Sequence, residues 1–255
     1  MRNRTLLAAA GLSALALGAA WQGAAAVSPS IPAYVAAAVA NPARPQADRD
    51  RDALRKPDQV LTFAGVEPGQ QVLELIPGGG YFTRLLSGAV GATGHVTEAV
   101  PQLSGAPDVK QASNGVAADP NFKNVSEIAM TPDALAKAGP VDLVWTSQNY
   151  HDLHLTRLKL DVVGLDKLIY AALKPGGTFF IEDHAAKPGT GTSTTDAEHR
   201  IDEDFVKQEV ESVGFKLAGE SDVLRNPADD HSLLVFNPAI RGHTDQFVMR
   251  FRKPE

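Results

Sequence analysis

Apolar residues recur along the chain in two rhythms, and the rhythms alternate. A short apolar run at 71–75 is followed at once by Gly78-Gly79-Gly80. Phe82, Leu85, Leu86 and Val90 then recur at helical spacing until Gly91 ends the pattern. Strands are predicted at 95–100 and 124–128, a helix at 132–138, and a strongly apolar, buried strand at 141–146. A helix over 158–173 stops at Lys174-Pro175-Gly176-Gly177, and a strand at 178–182 follows. An amphipathic helix over 201–213 ends at Gly214, and 215–222 leads into another strand. The stretches 232–236 and 247–252 lie on either side of a loop and read as a hairpin. Upstream, 49–61 reads as two short helices interrupted by Pro57. Strands alternating with helices of this length predict an α/β fold: a doubly wound, mostly parallel seven-stranded sheet, covered on both faces, with an antiparallel C-terminal hairpin. Ligands of such sheets bind at the carboxyl ends of strands, near the point where strand order reverses. That rule directs attention to 74–80, 98–101, 147–152 and 182–184.

Composition narrows the picture. The chain has 255 residues, 44% hydrophobic and 21% charged, which is enough for one domain with a sizeable core. There is no cysteine, so disulfide scaffolds, thiolate zinc sites and thiol nucleophiles are excluded. A net charge of −6 without a long Lys/Arg run excludes nucleic acid as the expected partner. Arg2 and Arg4 precede an apolar stretch over 6–21, and Ala24-Ala25-Ala26 supplies a small-residue cleavage site. Residues 1–26 therefore read as a secretory signal peptide, too short and too rich in Ala and Gly for a membrane span. Its removal takes away two arginines and moves the charge from −6 to −8. The mature protein is expected to be exported, periplasmic in a double-membrane bacterium, and without membrane contact once the signal is gone. Residues 27–48 read as an Ala/Pro-rich lead-in and 49–255 as the domain.

The first chemical candidate is Val72-Leu73-Glu74-Leu75-Ile76-Pro77-Gly78-Gly79-Gly80-Tyr81-Phe82-Thr83. A strand, a glycine turn and a helix start form a cradle in which the backbone can approach a ligand closely. A dinucleotide fingerprint would place a third glycine where Thr83 stands, and a P-loop would need Lys followed by Ser or Thr; neither is met. The chain resembles the class I S-adenosylmethionine-dependent methyltransferases, whose first motif is a strand ending in an acid and a Gly-x-Gly-x-Gly turn. Glu74 takes the acidic place and Gly78 and Gly80 the last two glycines, while Ile76 departs from the first. Val141-Asp142-Leu143-Val144-Trp145 is similar to the family's fourth strand, and Leu173-Lys174-Pro175-Gly176-Gly177-Thr178-Phe179-Phe180-Ile181 to its entry into the fifth. Residues 205–215, ending Val213-Gly214-Phe215, resemble the helix entering strand six. The Tyr150-His151-Asp152 and Glu182-Asp183-His184 triplets and the ending Gly242-His243-Thr244-Asp245-Gln246-Phe247 resemble an exported group of predicted methyltransferases.

The resemblance spans roughly residues 48–255. It implies a Rossmann-like methyltransferase fold, S-adenosyl-L-methionine as cofactor and a small-molecule acceptor. It also implies cofactor contacts from Glu74, Pro77, Gly78, Gly79, Gly80, Tyr81, Glu98 and Asn149. The family's ribose-binding acid at the end of strand two is absent, since Val100 occupies its place. Glu98, two residues earlier and on the same face, either substitutes for it or faces solvent.

The second constellation follows strands four and five: Asn149, Tyr150, His151, Asp152 and His154 after one, Glu182, Asp183 and His184 after the other. Adjacent strands would bring them to one pocket. His151 or His184 is a candidate base, oriented by Asp152 or Asp183; His151, Asp152 and His184 are the expected catalytic set. Asp152, Glu182 and Asp183 are a weaker expectation for a Mg- or Ca-type site, as in methyltransferases that bind catechols. His151 and His154 would share a helix face, but no third ligand is placed by sequence, so zinc is not expected. Asp230, His231 and His243 read as surface loop residues, and Trp145 as core. Beside the leading reading stand an exported non-catalytic, metal- or ligand-binding protein on the same scaffold and, third, a nicotinamide-dependent oxidoreductase.

Overall fold

The computed structural model describes residue 1, residues 30–101 and residues 113–255. The expected signal peptide falls almost entirely outside the described residues. From Ile31 onward the chain is one compact unit. It opens with four short helices: α1 (Ala33–Val39), α2 (Gln46–Arg49), α3 (Asp52–Arg55) and α4 (Pro57–Ala64). Then come β1 (Gln71–Leu75), α5 (Tyr81–Val90), β2 (His95–Val100), a 3-10 turn (Ser113–Ala118), β3 (Val125–Ala129), α6 (Pro132–Ala138) and β4 (Val141–Ser147). The second half runs α7 (Tyr150–Leu153), α8 (Val162–Ala172), β5 (Leu173–His184), α9 (Thr195–Glu198), α10 (Glu203–Ser212), β6 (Lys216–Ser221) and β7 (Gln246–Arg252).

The sheet has seven strands in the order β3-β2-β1-β4-β5-β7-β6. β1 to β5 are parallel, and β7 runs antiparallel between β5 and β6. Strand alternation sorts side chains to two cores. Val72, Val96, Leu143, Trp145, Phe180 and Val248 pack with α1, α4 and α5 on one face. Leu73, Leu75, Val144, Phe179, Ile181 and Phe247 pack with residues of α6, α8 and α10 on the other. Order reverses between β1 and β4, so the carboxyl ends of β1, β4 and β5 are where a ligand is expected.

Two expectations change. The antiparallel hairpin exists, but its strands are β6 and β7, not 232–236 and 247–252. Both edges of β7 are already taken, by β5 and β6, so 232–236 has no edge to join. It forms a loop in which Leu233, Leu234 and Phe236 are exposed and Val235 is buried. The segment read as a lead-in also contributes to the packed unit. Val35 and Ala38 of α1 are buried in the first core, and a Cβ on Gly88 of α5 would lie 3.0 Å from that of Ala38. A side chain there would force α1 to shift by a few tenths of an ångström, so glycine lets the two helices cross closely.

Candidate functional site

The turn after β1 has the conformation of a ligand cradle. Ile76, Gly78 and Gly80 have φ of 51°, 57° and 75°. A β-branched residue at such a φ is a genuine outlier, so Ile76 holds the first glycine's left-handed conformation under strain. Asn149 donates from Nδ2 to the Ile76 carbonyl (2.9 Å) and to that of Ser147 (2.6 Å), tying the β1 and β4 loops together. Arg84 donates to the carbonyls of Gly79 and Gly80 (2.9 and 3.0 Å) and pairs with the buried Asp48. With those carbonyls held inward, a Cβ built on Gly78 would meet nothing within 4 Å. The loop is open where a ligand would approach.

Glu74 is buried and accepts a 2.6 Å bond from Thr83 Oγ1. Burial raises its pKa to about 8, and the neighbouring Glu98 adds to the rise. Thr83, which spoils a dinucleotide fingerprint, thus serves as the partner of the motif's acid. Glu98 itself is fully buried, in register with Glu74, which removes the solvent-facing alternative. Val100 is buried and apolar, so no carboxylate stands at the customary ribose position of β2.

A cavity of about 190 Å³ lies against this turn, lined by Glu74, Ile76, Pro77, Gly78, Gly79, Tyr81, Ser147, Gln148 and Asn149 and by Arg51 and Arg55. Glu98 and Gly80 do not line it; Gly80 starts α5. The Tyr81 hydroxyl donates to Asp52 (2.7 Å), and its ring lies 4.8 and 4.5 Å from the guanidinium carbons of Arg51 and Arg55. Asp52 in turn holds Arg44 through two bonds of 2.6 and 2.9 Å. The arginines of α3 and the residue before it therefore close the cradle. The sequence had offered a signal, the alternating charges of 48–56, without indicating where they fold.

Arg51, Arg55 and Gln148 also line a second cavity of about 350 Å³, with Leu54, His184, Val235, Phe236, Arg241, Gly242 and Gln246, so the two adjoin. Gln148 has a φ of 57°, accepts from Arg55 and donates to Glu182 Oε1 (3.3 Å). His184 bonds Thr244 through Nδ1 (2.8 Å), and burial lowers its pKa to about 3, so its imidazole is neutral.

Beside His184, at 5.8 Å between ring centroids, stands His151. Its Nδ1 lies 2.7 Å from Asp183 Oδ1, and its backbone N–H donates to Asp183 Oδ2 (2.7 Å). Burial alone would lower the His151 pKa, but the Asp183 carboxylate outweighs it and the net shift is upward. The same partner holds the buried Asp183 below the usual carboxylate range. His151 Nε2 lies 3.4 Å from Asp152 Oδ1 and 3.2 Å from His199 Nδ1, and His199 Nδ1 lies 3.3 Å from Asp152 Oδ1. The expected catalytic set, His151, Asp152 and His184, is therefore brought together, with Asp183 as the orienting acid. His199 was not foreseen; it lies 48 positions from His151, and nothing local marks it.

The carboxylate metal site is not formed. Adjacent strand residues point to opposite faces. Glu182 bonds Ser147 (2.7 Å) and Gln148, whereas both oxygens of Asp183 are engaged by His151 and the backbone. His154 diverges from His151 and lies 2.9 Å from Glu209. Trp145 is fully buried, stacked on Phe180 at 3.9 Å, as core. Asp230 and His243 are exposed, while His231 is half-buried against Asp245.

No family model and no curated protein matches the chain. Solved structures do. A SAM-dependent methyltransferase from Aquifex aeolicus is 16% identical, with 80% of this chain and 98% of that one covered at a TM-score of 0.54. The arsenic(III) S-adenosylmethionine methyltransferase CrArsM from Chlamydomonas reinhardtii is 18% identical, over 89% and 75%, at 0.53. The [4+2]-cyclase SpnF is 14% identical, over 82% and 81%, at 0.52. At such identities the likeness concerns architecture, and the cyclase illustrates that one architecture hosts different chemistry. Strand order, the antiparallel seventh strand and these likenesses agree: this chain has the Rossmann-like fold of the class I S-adenosylmethionine-dependent methyltransferases.

Proposed function

We propose that the protein is a methyltransferase that binds S-adenosylmethionine in the β1–α5 cradle and modifies a small-molecule acceptor in the adjoining cavity. The observation that carries this reading is the turn itself. The left-handed conformation recurs at the alternate positions 76, 78 and 80, even where Ile76 replaces glycine, and open space lies over Gly78. Strain of this kind persists where function requires the conformation. When bound, the cofactor supplies an electrophilic methyl group for in-line transfer.

The chain's own residues do the rest. Arg84 and Asn149 fix the turn, and Arg51 and Arg55 present positive charge to an anionic group in the cradle. Neutral His184 lines the acceptor cavity as an uncharged hydrogen-bonding wall. His151, whose Nδ1–H is held by Asp183, keeps its lone pair at Nε2 with Asp152 beside it, and in the metal-free protein this nitrogen is the general base. The larger cavity, about 350 Å³, matches the size of small-molecule sites. A calorimetric titration with S-adenosylhomocysteine should give micromolar affinity, about −8 kcal/mol, and NAD should give none. Silence up to millimolar ligand would refute the reading.

Val100 at the ribose position favours a second reading, a binding protein on the same scaffold whose ligand enters only the larger cavity. The same titration separates the two. Export by residues 1–26 belongs to the proposal: the secreted chain should lack them on N-terminal sequencing. Among the described residues no helix is long and apolar enough to cross a membrane.

A further inference from the structure

We propose that His151, Asp152 and His199 form a binding site for a divalent transition-metal ion of the zinc class, behind the His184 and Phe236 side chains that line the larger cavity. Their three donor atoms make a nearly equilateral triangle: 3.2 Å between His151 Nε2 and His199 Nδ1, 3.4 Å from His151 Nε2 to Asp152 Oδ1, and 3.3 Å from His199 Nδ1 to Asp152 Oδ1. A tetrahedral ion with bonds of about 2.0–2.1 Å spaces its ligand atoms about 3.3 Å apart. Two imidazoles and one carboxylate suit zinc and its neighbours, not the all-oxygen shells of Mg or Ca.

The surroundings fit as well. Asp183 receives the His151 Nδ1–H at 2.7 Å and is itself pinned by the backbone N–H groups of His151 and His184. That arrangement leaves Nε2 as the lone-pair nitrogen and is the carboxylate–histidine support that metal sites use. His199 is placed by a left-handed backbone, φ 53°, at the end of α9. Three protein ligands leave one coordination position open, the pattern of a reactive rather than a purely structural site. The side chains of Asp152 and His199 are 33% and 23% exposed, so an ion has a way in. The rings flanking the triangle, His184 beside His151 and Phe236 beside His199, both line the larger cavity. The carboxylate trio expected from sequence thus gives way to a different set, completed by a residue 47 positions beyond Asp152.

The alternative is that a proton bridges the three groups and no metal binds. The test uses the full chain, stripped with a chelator and titrated with zinc chloride against a chromophoric competitor. One zinc per chain is expected, with affinity falling at least about 100-fold in His199→Ala and Asp152→Asn, and about 10–100-fold in Asp183→Asn. His154→Ala and His231→Ala should bind as the parent does. Cobalt(II) should give the visible bands of a four-coordinate ion in the parent and not in His199→Ala. Zinc should raise the melting temperature of the parent but not of His199→Ala, whose metal-free melting should stay close to the parent's because the residue is partly exposed. Absence of stoichiometric zinc binding, or undiminished binding in both ligand variants, overturns the proposal. S-adenosylhomocysteine binding, measured separately on metal-free protein, tests the cradle, so the two ideas fail independently.

Discussion

The two halves of the site are built in opposite ways. The cradle comes from one contiguous stretch, residues 74–84, tightened from within by Arg84 and from elsewhere by Asn149, Arg51 and Arg55. The histidine cluster comes from three separate elements, with residues 151–152 of α7, 183–184 at the end of β5 and 199 at the end of α9 meeting only in the folded chain. In the first half backbone conformation does the work, and side chains hold carbonyls out of the way. In the second, backbone is merely a carrier, and buried charge holds rings in place. Damage should therefore appear as lost ligand binding in the cradle and as lost stability in the cluster.

The largest effect should come from Asp183→Ala. It strips the partner from the buried His151 and orphans two backbone N–H groups, costing about 3–5 kcal/mol in chemical denaturation. S-adenosylhomocysteine affinity of the folded fraction should hardly change; a large loss there would erase the contrast between the halves. Gly78→Val should do the reverse. The side chain enters the ligand's space from a φ of 57°, and calorimetry should show affinity down at least about 100-fold, or about 3 kcal/mol. An unchanged affinity would remove the cradle from the site.

Glu74→Gln comes next and is read through pH. The Glu74 carboxyl stays protonated in the folded state up to about pH 8 but ionises above its ordinary value when unfolded. The folded state thus binds the extra proton, and stability falls as pH rises from about 4.5 to 8. The Gln variant keeps an acceptor for Thr83 and should lack that share of the slope, on the order of 2 kcal/mol between pH 5 and 7. Parallel parent and variant curves would mean that Glu74 is ionised in the fold. The smallest effect is assigned to Arg84→Ala, which frees the carbonyls of Gly79 and Gly80 and should weaken binding about tenfold.

This contrast also explains what could be read in the sequence. The strand–glycine–helix unit, the order of strands and helices, and the clustering of His151 with Asp183 and His184 follow from local pattern and from adjacency of strands four and five. Arg51 and Arg55 are not legible in the sequence because a charged run reads alike whether it faces water or closes a cleft; the ring of Tyr81 and the amide of Gln148 distinguish the two only in the fold. The apolar run at 232–236 misled because strand propensity is spent only where an edge is free. His199 was invisible because its role depends on a turn that puts it opposite residues nearly fifty positions away.

The place of β7 governs more than the sheet's outline. The last strand of the chain lies between β5 and β6, so neither has that neighbour until residue 252 is available. A ribosome would deliver six strands before the seventh could lock them, leaving the β5 edge open throughout synthesis. Such an edge is sticky, and the delay sets a window in which the nascent chain is both most extensible and most prone to pair with its neighbours. Losing the final ten residues would therefore remove the bolt that joins two parts of the sheet, not trim a loose end.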